Sequence, residues 1–276
     1  MESIFNKEQT EKLIAPHRSP WKFLSGRKYL GVLGLAVFFA TWELAPRLHW
    51  LNPVFVPPLS EDIRALWGLI LTGNIWPHVA ASLLRAFSGF ILAVVISVPL
   101  GILMGRLKTI EAIFDPLLQA FRQTSALALL PVFLLIFGIG EASKMAVVFW
   151  ACQWPILLST ISGVKNVDPI LVKSARSMGA SQMDVFKKVV IPSAVPSLIT
   201  GMRLAATTSL LALIAAEMLG AKAGLGFLVF WSENTFKISQ MYAAIIVLAL
   251  FGLVLNYILV RLERKFSSWK DSSAAL

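Results

Sequence analysis

Apolar residues fill this chain in long blocks, separated by short polar and basic interruptions. A run of about 18 or more such residues is long enough to cross a lipid bilayer. Six blocks qualify, at about 29–46, 79–105, 115–138, 145–164, 196–219 and 241–260. They predict an all-α membrane protein with six transmembrane helices and both chain ends on one side. Glu43 falls near the far end of the first block, at the expected interface. A proline-rich connector from Asn52 to Leu59 follows, then an amphipathic pattern from Glu61 to Leu71. Ser60 reads as its N-cap, with acids in the first turn where they favour a helix start. Gly105 to Lys108 (GRLK) ends the second block, and the third carries Arg122, Gln123, Thr124 and Ser125 in its first half and Pro131 midway. The pattern divides the chain into a basic tail at 1–28, a transmembrane domain at 29–264 and a second tail at 265–276.

The longest polar interruption in the second half has its own organisation. Asp168 predicts an N-cap, with Pro169 at the first helical position, where its missing N–H costs nothing. Ile170, Leu171, Ala175 and Met178 recur at helical spacing. Gly179 supplies the left-handed residue that ends this helix. Ser181 and Asp184 form a capping box for a second helix, with Val185, Phe186, Val189 and Val190 as its apolar face. Pro192 is expected to stop it. The prediction is a knuckle of two short helices joined at a glycine, over 168–191.

At these residues the chain resembles the permease subunits of binding-protein-dependent ABC importers. Their cytoplasmic coupling motif reads EAA, three residues, Gly, then a spaced proline pair. Here Lys173, Ser174 and Ala175 occupy the EAA positions, and Gly179, Phe186, Pro192 and Pro196 match the rest. Lys173 stands where the family has Glu, and Ser174 where it has Ala. The resemblance extends through GMRLA at Gly201 to Ala205 and AAEMLGA at Ala215 to Ala221. FGIGEASK, at Phe137 to Lys144, is similar to the subgroup that carries sulfonates, taurine, nitrate or bicarbonate. It covers roughly residues 80 to 260. The resemblance implies a type I importer fold, with Leu171, Lys173, Ser174, Ala175, Met178, Gly179, Ala180 and Phe186 coupling to an ATPase. It also implies a second permease copy, two ATPase subunits holding ATP and Mg, and an extracytoplasmic binding protein. The implied cargo is a small oxyanion such as an aliphatic sulfonate, with a thiamine-precursor pyrimidine as the alternative.

Charge fixes the expected orientation. Of 25 lysines and arginines, 17 fall on the side of the N-terminal tail: Lys7, Lys12, Arg18, Lys22, Arg27, Lys28, Arg106, Lys108, Lys165, Lys173, Arg176, Lys187, Lys188, Arg261, Arg264, Lys265 and Lys270. Arg47, Arg64, Lys144, Lys222 and Lys237 fall on the other. By the positive-inside rule the knuckle and both termini are cytoplasmic, and the resemblance implies the plasma membrane of a bacterium. The net charge of +10 is thereby explained by topology and anionic lipid, without nucleic acid. The tail lacks the apolar core and cleavage site of a signal peptide. An apolar fraction of 57% and a mean hydropathy of +0.74 agree with a chain immersed in lipid.

Few residues suggest chemistry. Cys152 is single, and His17, His49 and His78 are scattered without metal-ligand spacing. No GxxxxGK[ST] loop occurs, so ATP hydrolysis belongs to another polypeptide and this chain is expected to be non-catalytic. Charged and polar groups inside spans are the remaining candidates. Arg203 and Glu217, 14 residues apart, read as one polar stripe with Thr207 between them. The stripe either faces a pathway or anchors helices, and Arg203 either contacts an anion or pairs structurally. Gln123, Thr124, Ser125 and Gln153 either line the pathway or hold helices together by close packing. Arg85 forms a polar face with Ser82 and Ser88, or snorkels to the interface. Glu141 and Lys144 read as solvated loop residues, or as contacts for the binding protein. A self-contained secondary transporter is the rival reading, but only Glu217 is deep enough to serve it and no inverted repeat is evident.

Overall fold

The computed structural model describes residues 24–267, so most of both expected tails lies outside the described residues. Every regular element among the described residues is helical. Two compact units divide between Glu61 and Asp62.

In the first unit, α1 (Leu24–Arg47) is the first expected span. Glu43 is not a free interfacial carboxylate. It pairs with Arg47 at 2.7 Å and accepts bonds from the Ser60 amide at 2.9 Å and hydroxyl at 3.0 Å, which ties the proline connector back to the helix end. The amphipathic helix α2 (Leu59–Leu71) starts one residue before the predicted cap, because the Ser60 hydroxyl is committed to Glu43.

The second unit is built on three long helices: α3 (Ile75–Arg106), α6 (Glu141–Lys165) and α9 (Ile191–Met218). Each carries small or compact residues every fourth position on the face it buries. On α3 these are Gly89, Ala93, Ser97 and Gly101; on α6, Val148, Cys152, Ile156 and Thr160; on α9, Gly201, Ala205, Ser209 and Leu213. Small residues bring backbones together, and dispersion then replaces the hydrophobic force that lipid cannot supply. The approach is tight. A Cβ at Gly101 would lie 2.7 Å from Thr160 Cβ, and one at Gly201 would lie 2.4 Å from Ser159 Cβ and 2.8 Å from the Pro155 carbonyl. Gly201→Val is therefore expected to cost about 1–3 kcal/mol by overpacking. The check is thermal unfolding of the purified chain in detergent, where an unchanged midpoint contradicts the packing.

Along α3 and α6, Gly89 faces Val148, Gly101 faces Thr160 and Gly105 faces Val164, so these two helices run parallel. Along α6 and α9, Gly163 faces Ala194 and Gly201 faces Ser159, so that pair is antiparallel. Parallel α3 and α6 require the chain between them to return along the whole bundle. It does so in two pieces, α4 (Lys108–Phe121) and α5 (Leu130–Phe137). Leu118 of α4 packs with Met104 and Leu157, and Leu130 at the start of α5 packs with Val147, Ala212 and Ala216. The predicted continuous span at 115–138 is thus corrected: it is one traverse broken at residues 122–129. Five helices among the described residues are long and apolar enough to cross a membrane unbroken. The break falls on the polar run Arg122 to Ser125, and Pro131, in the first turn of α5, fits a helix start better than an interior.

Two features were not predicted. After α9 the chain turns through Gly220 and Gly224 into α10 (Leu225–Asn234), too short to cross, and then into the last long helix α11 (Ile238–Ser267). The second knuckle helix also does not stop at Pro192.

Candidate coupling elbow and intramembrane polar sites

The first knuckle helix, α7 (Pro169–Ser177), starts as its sequence dictates. Asp168 accepts a bond from the Ile170 amide at 2.8 Å. Gly179 sits at φ +80°, and a Cβ there would meet no atom within 4 Å. The glycine is therefore required by backbone conformation and not by crowding within this chain. Ser181 accepts the Asp184 amide at 3.1 Å and opens α8 (Gln182–Val185).

From there the helix continues into α9 through a π turn at Phe186–Val190. Pro192 has no N–H with which to bond the carbonyl four residues back. A wider turn removes the conflict: the Ile191 amide donates to the Phe186 carbonyl, five residues back. The second helix of the elbow and α9 are consequently one continuous helical body, Gln182–Met218, to which α7 is joined through the Gly179 turn. Arg106, the last residue of α3, stacks on the Phe186 ring at 4.4 Å and braces the same junction. Nearby, Lys165 at the end of α6 pairs with Glu111 of α4.

The expected coupling residues divide by exposure. Ile170, Leu171 and Met178 project outward, with Met178 81% exposed. Lys173, Ser174 and Gly179 are also exposed. Ala175 is buried, and Phe186 is half-buried under Arg106, so these two support the elbow from inside. Ala180 is half-buried. Of the apolar face expected at Ile170, Leu171, Ala175 and Met178, the structure exposes Ile170, Leu171 and Met178 and buries Ala175.

At the opposite end of the bundle lies a largely buried ionic cluster, with Glu141 at its exposed edge. Arg85 is 1% exposed and Glu217 0%. One Arg85 Nη donates to Glu217 at 2.7 Å and to the Ala223 carbonyl at 2.6 Å. The rest of the guanidinium grips both oxygens of Glu141, at 2.5 and 2.7 Å. Glu217 also accepts the Ser82 hydroxyl at 2.8 Å and the Gly226 amide at 2.9 Å. Ser82 in turn accepts the Leu225 amide at 2.8 Å, and His78 Nδ1 accepts the Gly224 amide at 3.1 Å. Lys144, 1% exposed, donates to the carbonyls of Gly140 and Gly220 at 3.0 and 2.6 Å. Gly224 packs where a Cβ would lie 2.4 Å from the Glu217 carboxyl carbon. The turn before α10 is thus tied to the cluster through Arg85, Lys144 and Glu217 and through the neutral partners Ser82 and His78. Burial of such groups is tolerable only when they are paired and hydrogen-bonded.

The predicted pathway residues do not act as one set. Glu217 is an anchor within this cluster, and Arg203 faces elsewhere, with its Nε 3.2 Å from Glu263 of α11. Thr200 donates to the same carboxylate at 2.9 Å. The single stripe from Arg203 to Glu217 is therefore corrected: the two residues serve different helix pairs. Thr207 and Gln123 are exposed and Gln153 is half-buried. Thr124 and Ser125 do come together, with Trp150, Trp154 and Thr208, around a pocket of about 260 Å³ at the break between α4 and α5.

Residues 97–268 match the family model of the binding-protein-dependent transport system inner membrane component. The chain belongs to this family. It is 33% identical over 265 residues to the taurine transport system permease protein TauC of Escherichia coli (strain K12), covering 94% of this chain and 96% of that protein. Identity is 31% over 242 residues with the putative aliphatic sulfonates transport permease protein SsuC of Bacillus subtilis (strain 168), covering 88% of each. It is 36% over 206 residues with the nitrate import permease protein NrtB of Leptolyngbya laminosa, covering 71% of this chain and 74% of that one. The fold matches a chain of the inward-facing MetNI methionine ABC transporter, with a TM-score of 0.55 at 21% identity over 70% of this chain and 94% of that chain. This is a permease of the sulfonate, taurine and nitrate type, a multi-pass, non-catalytic component of the bacterial plasma membrane.

The permease hides its ionic cluster from a local reading. Glu141 and Lys144 read as solvated loop residues or binding-protein contacts, and Arg85 as a polar face with Ser82 and Ser88 or a snorkelling side chain; in the structure Lys144 and Arg85 are buried, and Glu141 is exposed but gives both oxygens to Arg85. The available signal was charge complementarity at depth. Arg85 lies in the first third of its span and Glu217 in the last turn of an antiparallel one, and buried membrane charges default to partners of opposite sign.

Proposed function

We propose that this permease is the membrane-spanning half of an ATP-driven importer for a small oxyanion, with an aliphatic sulfonate as the favoured cargo. The observation that carries the reading is the elbow: a protruding helix–glycine–helix fused without a joint to a long helix of the bundle. Such an element transmits a push from a soluble ATPase into lipid-embedded helices. In this reading two copies pair about a two-fold axis and complete one pathway between them. Two ATPase subunits dock at Ile170, Leu171 and Met178, and an extracytoplasmic binding protein delivers the cargo at the opposite end. Parallel α3 and α6, with a full-length return between them, support six crossings with the third one broken. With the basic elbow end inside, both termini are cytoplasmic.

ATP binding closes the ATPases and draws the two elbows together, and α9 carries the tilt through the bundle. The buried cluster at the far end joins α3, α6 and the α9–α10 turn, so that end moves as a block. Arg85 and Lys144 balance Glu141 and Glu217, so the cluster presents no net charge to a passing anion. The test is reconstitution with the cognate ATPase and binding protein. ATPase activity is expected to rise when the binding protein is loaded with taurine or an alkanesulfonate. An unchanged rate with taurine, alkanesulfonates, nitrate and bicarbonate alike would refute oxyanion import.

A further inference from the structure

We infer that the break between α4 and α5 is a mid-membrane contact site for the oxyanion head of the cargo, built only from neutral donors. The inference rests on the import reading above and names its site.

The break lies between the two ends of the bundle. Its walls are Trp150 and Trp154 near the middle of α6, and Thr208 on α9. Among the described residues, the amides of Ser125, Ala126 and Leu127 donate no backbone hydrogen bond, because helix interruption removes their partners. The hydroxyls of Thr124 and Ser125 are likewise without a bond among the described residues. Trp154 keeps its indole N–H buried and unpartnered. Unsatisfied backbone at membrane depth is tolerated only where it lines a cavity or is otherwise covered, and here it lines one. The Trp150 N–H is used differently: it donates to the Thr124 carbonyl at 3.3 Å and holds the break open.

The free hydroxyls, the free amides and the Trp154 indole N–H can all donate, so they suit an acceptor-rich ligand. No charged side chain lines the pocket. A cation would hold an anion through its charge, the more strongly the less water reaches it. Neutral donors bind a singly charged, charge-delocalised oxyanion and still release it. A volume of about 260 Å³ has room for a small organic anion. Trp150 and Trp154, perpendicular with centroids 5.1 Å apart, offer an apolar wall to a short carbon chain. Donors and indole faces lining one pocket describe a small organosulfonate better than phosphate or a bare inorganic ion.

The experiment uses the full complex in proteoliposomes, with uptake of ethanesulfonate, nitrate and inorganic phosphate measured side by side. Wild type is expected to import ethanesulfonate and to reject phosphate. Thr124→Val combined with Ser125→Ala is expected to lower ethanesulfonate uptake about ten-fold or more, as loss of hydrogen bonds to a charged group does. Thr124→Ser combined with Ser125→Thr, which keeps both hydroxyls, is expected to restore most of it and shows that assembly survives substitution there. Wild-type uptake by the Val/Ala pair overturns the site and leaves the import reading standing. Equal loss in the hydroxyl-keeping pair overturns it too, because packing then explains the effect. No uptake of any oxyanion by wild type overturns the import reading itself.

Discussion

Replacing Arg85 by alanine is expected to destabilise the permease by about 3–5 kcal/mol, the range seen when one partner of a buried ion pair is removed. The loss is not that of one contact. Glu217, 0% exposed, would lose the cation it bonds directly, although the Ser82 hydroxyl and Gly226 amide would still reach it. The Ala223 carbonyl would lose its donor and Glu141 would lose both of its bonds to Arg85. Glu217→Gln should be milder, because Arg85 keeps Glu141 and Ala223, and the amide oxygen still accepts from Ser82 or Gly226. The paired change Arg85→Met with Glu217→Met should recover part of the loss, since it removes both charges from a low-dielectric site together. Thermal unfolding of the purified permease in detergent, run as a double-mutant cycle, reads the coupling. An Arg85→Ala protein as stable as wild type would show that the cluster holds nothing together.

That cluster marks where sequence reasoning ran out. Its members come from positions 78–85, 141–144 and 217–226, and hydropathy cannot register such distant pairs. Averages over a span also concealed the break at 122–129. Leu117, Leu118, Phe121 and the run after Ala126 keep the window apolar, although Arg122 to Ser125 and Pro131 mark a helix end and a helix start. Local chemistry, by contrast, was legible. Asp168, Gly179, Ser181 and Asp184 each play the capping or turning role their type and spacing imply, because such bonds close within four residues. Pro192 is the instructive exception. Its rule concerns a missing N–H, and a π turn meets that requirement without ending the helix. Arg203 shows the limit of helical-wheel arithmetic: a 14-residue offset places two side chains on similar faces but does not choose their neighbours. Glu263 on α11 makes that choice for Arg203.

Met178→Glu together with Leu171→Glu is expected to abolish coupled uptake while leaving the permease folded. Both side chains project outward, at 81% and 47% exposure, so their replacement costs the chain little of its own packing. A carboxylate in each position would have to be desolvated inside the ATPase groove. Anchors at the centre of an interface commonly carry 2 kcal/mol or more each, so loss of one corresponds to roughly 30-fold weaker association. Gly179 supplies an independent test through backbone conformation. At φ +80° a β-branched residue is strained by about 1–2 kcal/mol, whereas asparagine tolerates that region. Gly179→Asn should therefore retain more uptake than Gly179→Val, although a Cβ at this position meets no atom of this chain within 4 Å.

The lever itself can be cut without touching the docking face. Two glycines inserted between Val190 and Ile191 would turn the continuous helix into a joint. The ATPase should still bind, because Ile170, Leu171 and Met178 remain in place, but its cycle should no longer move α9. Co-purification of the ATPase with loss of uptake is the expected pattern. If uptake persists with the joint in place, force reaches the bundle by another route. The stacking of Arg106 on Phe186, which ties the elbow to α3, would then be the first contact to remove.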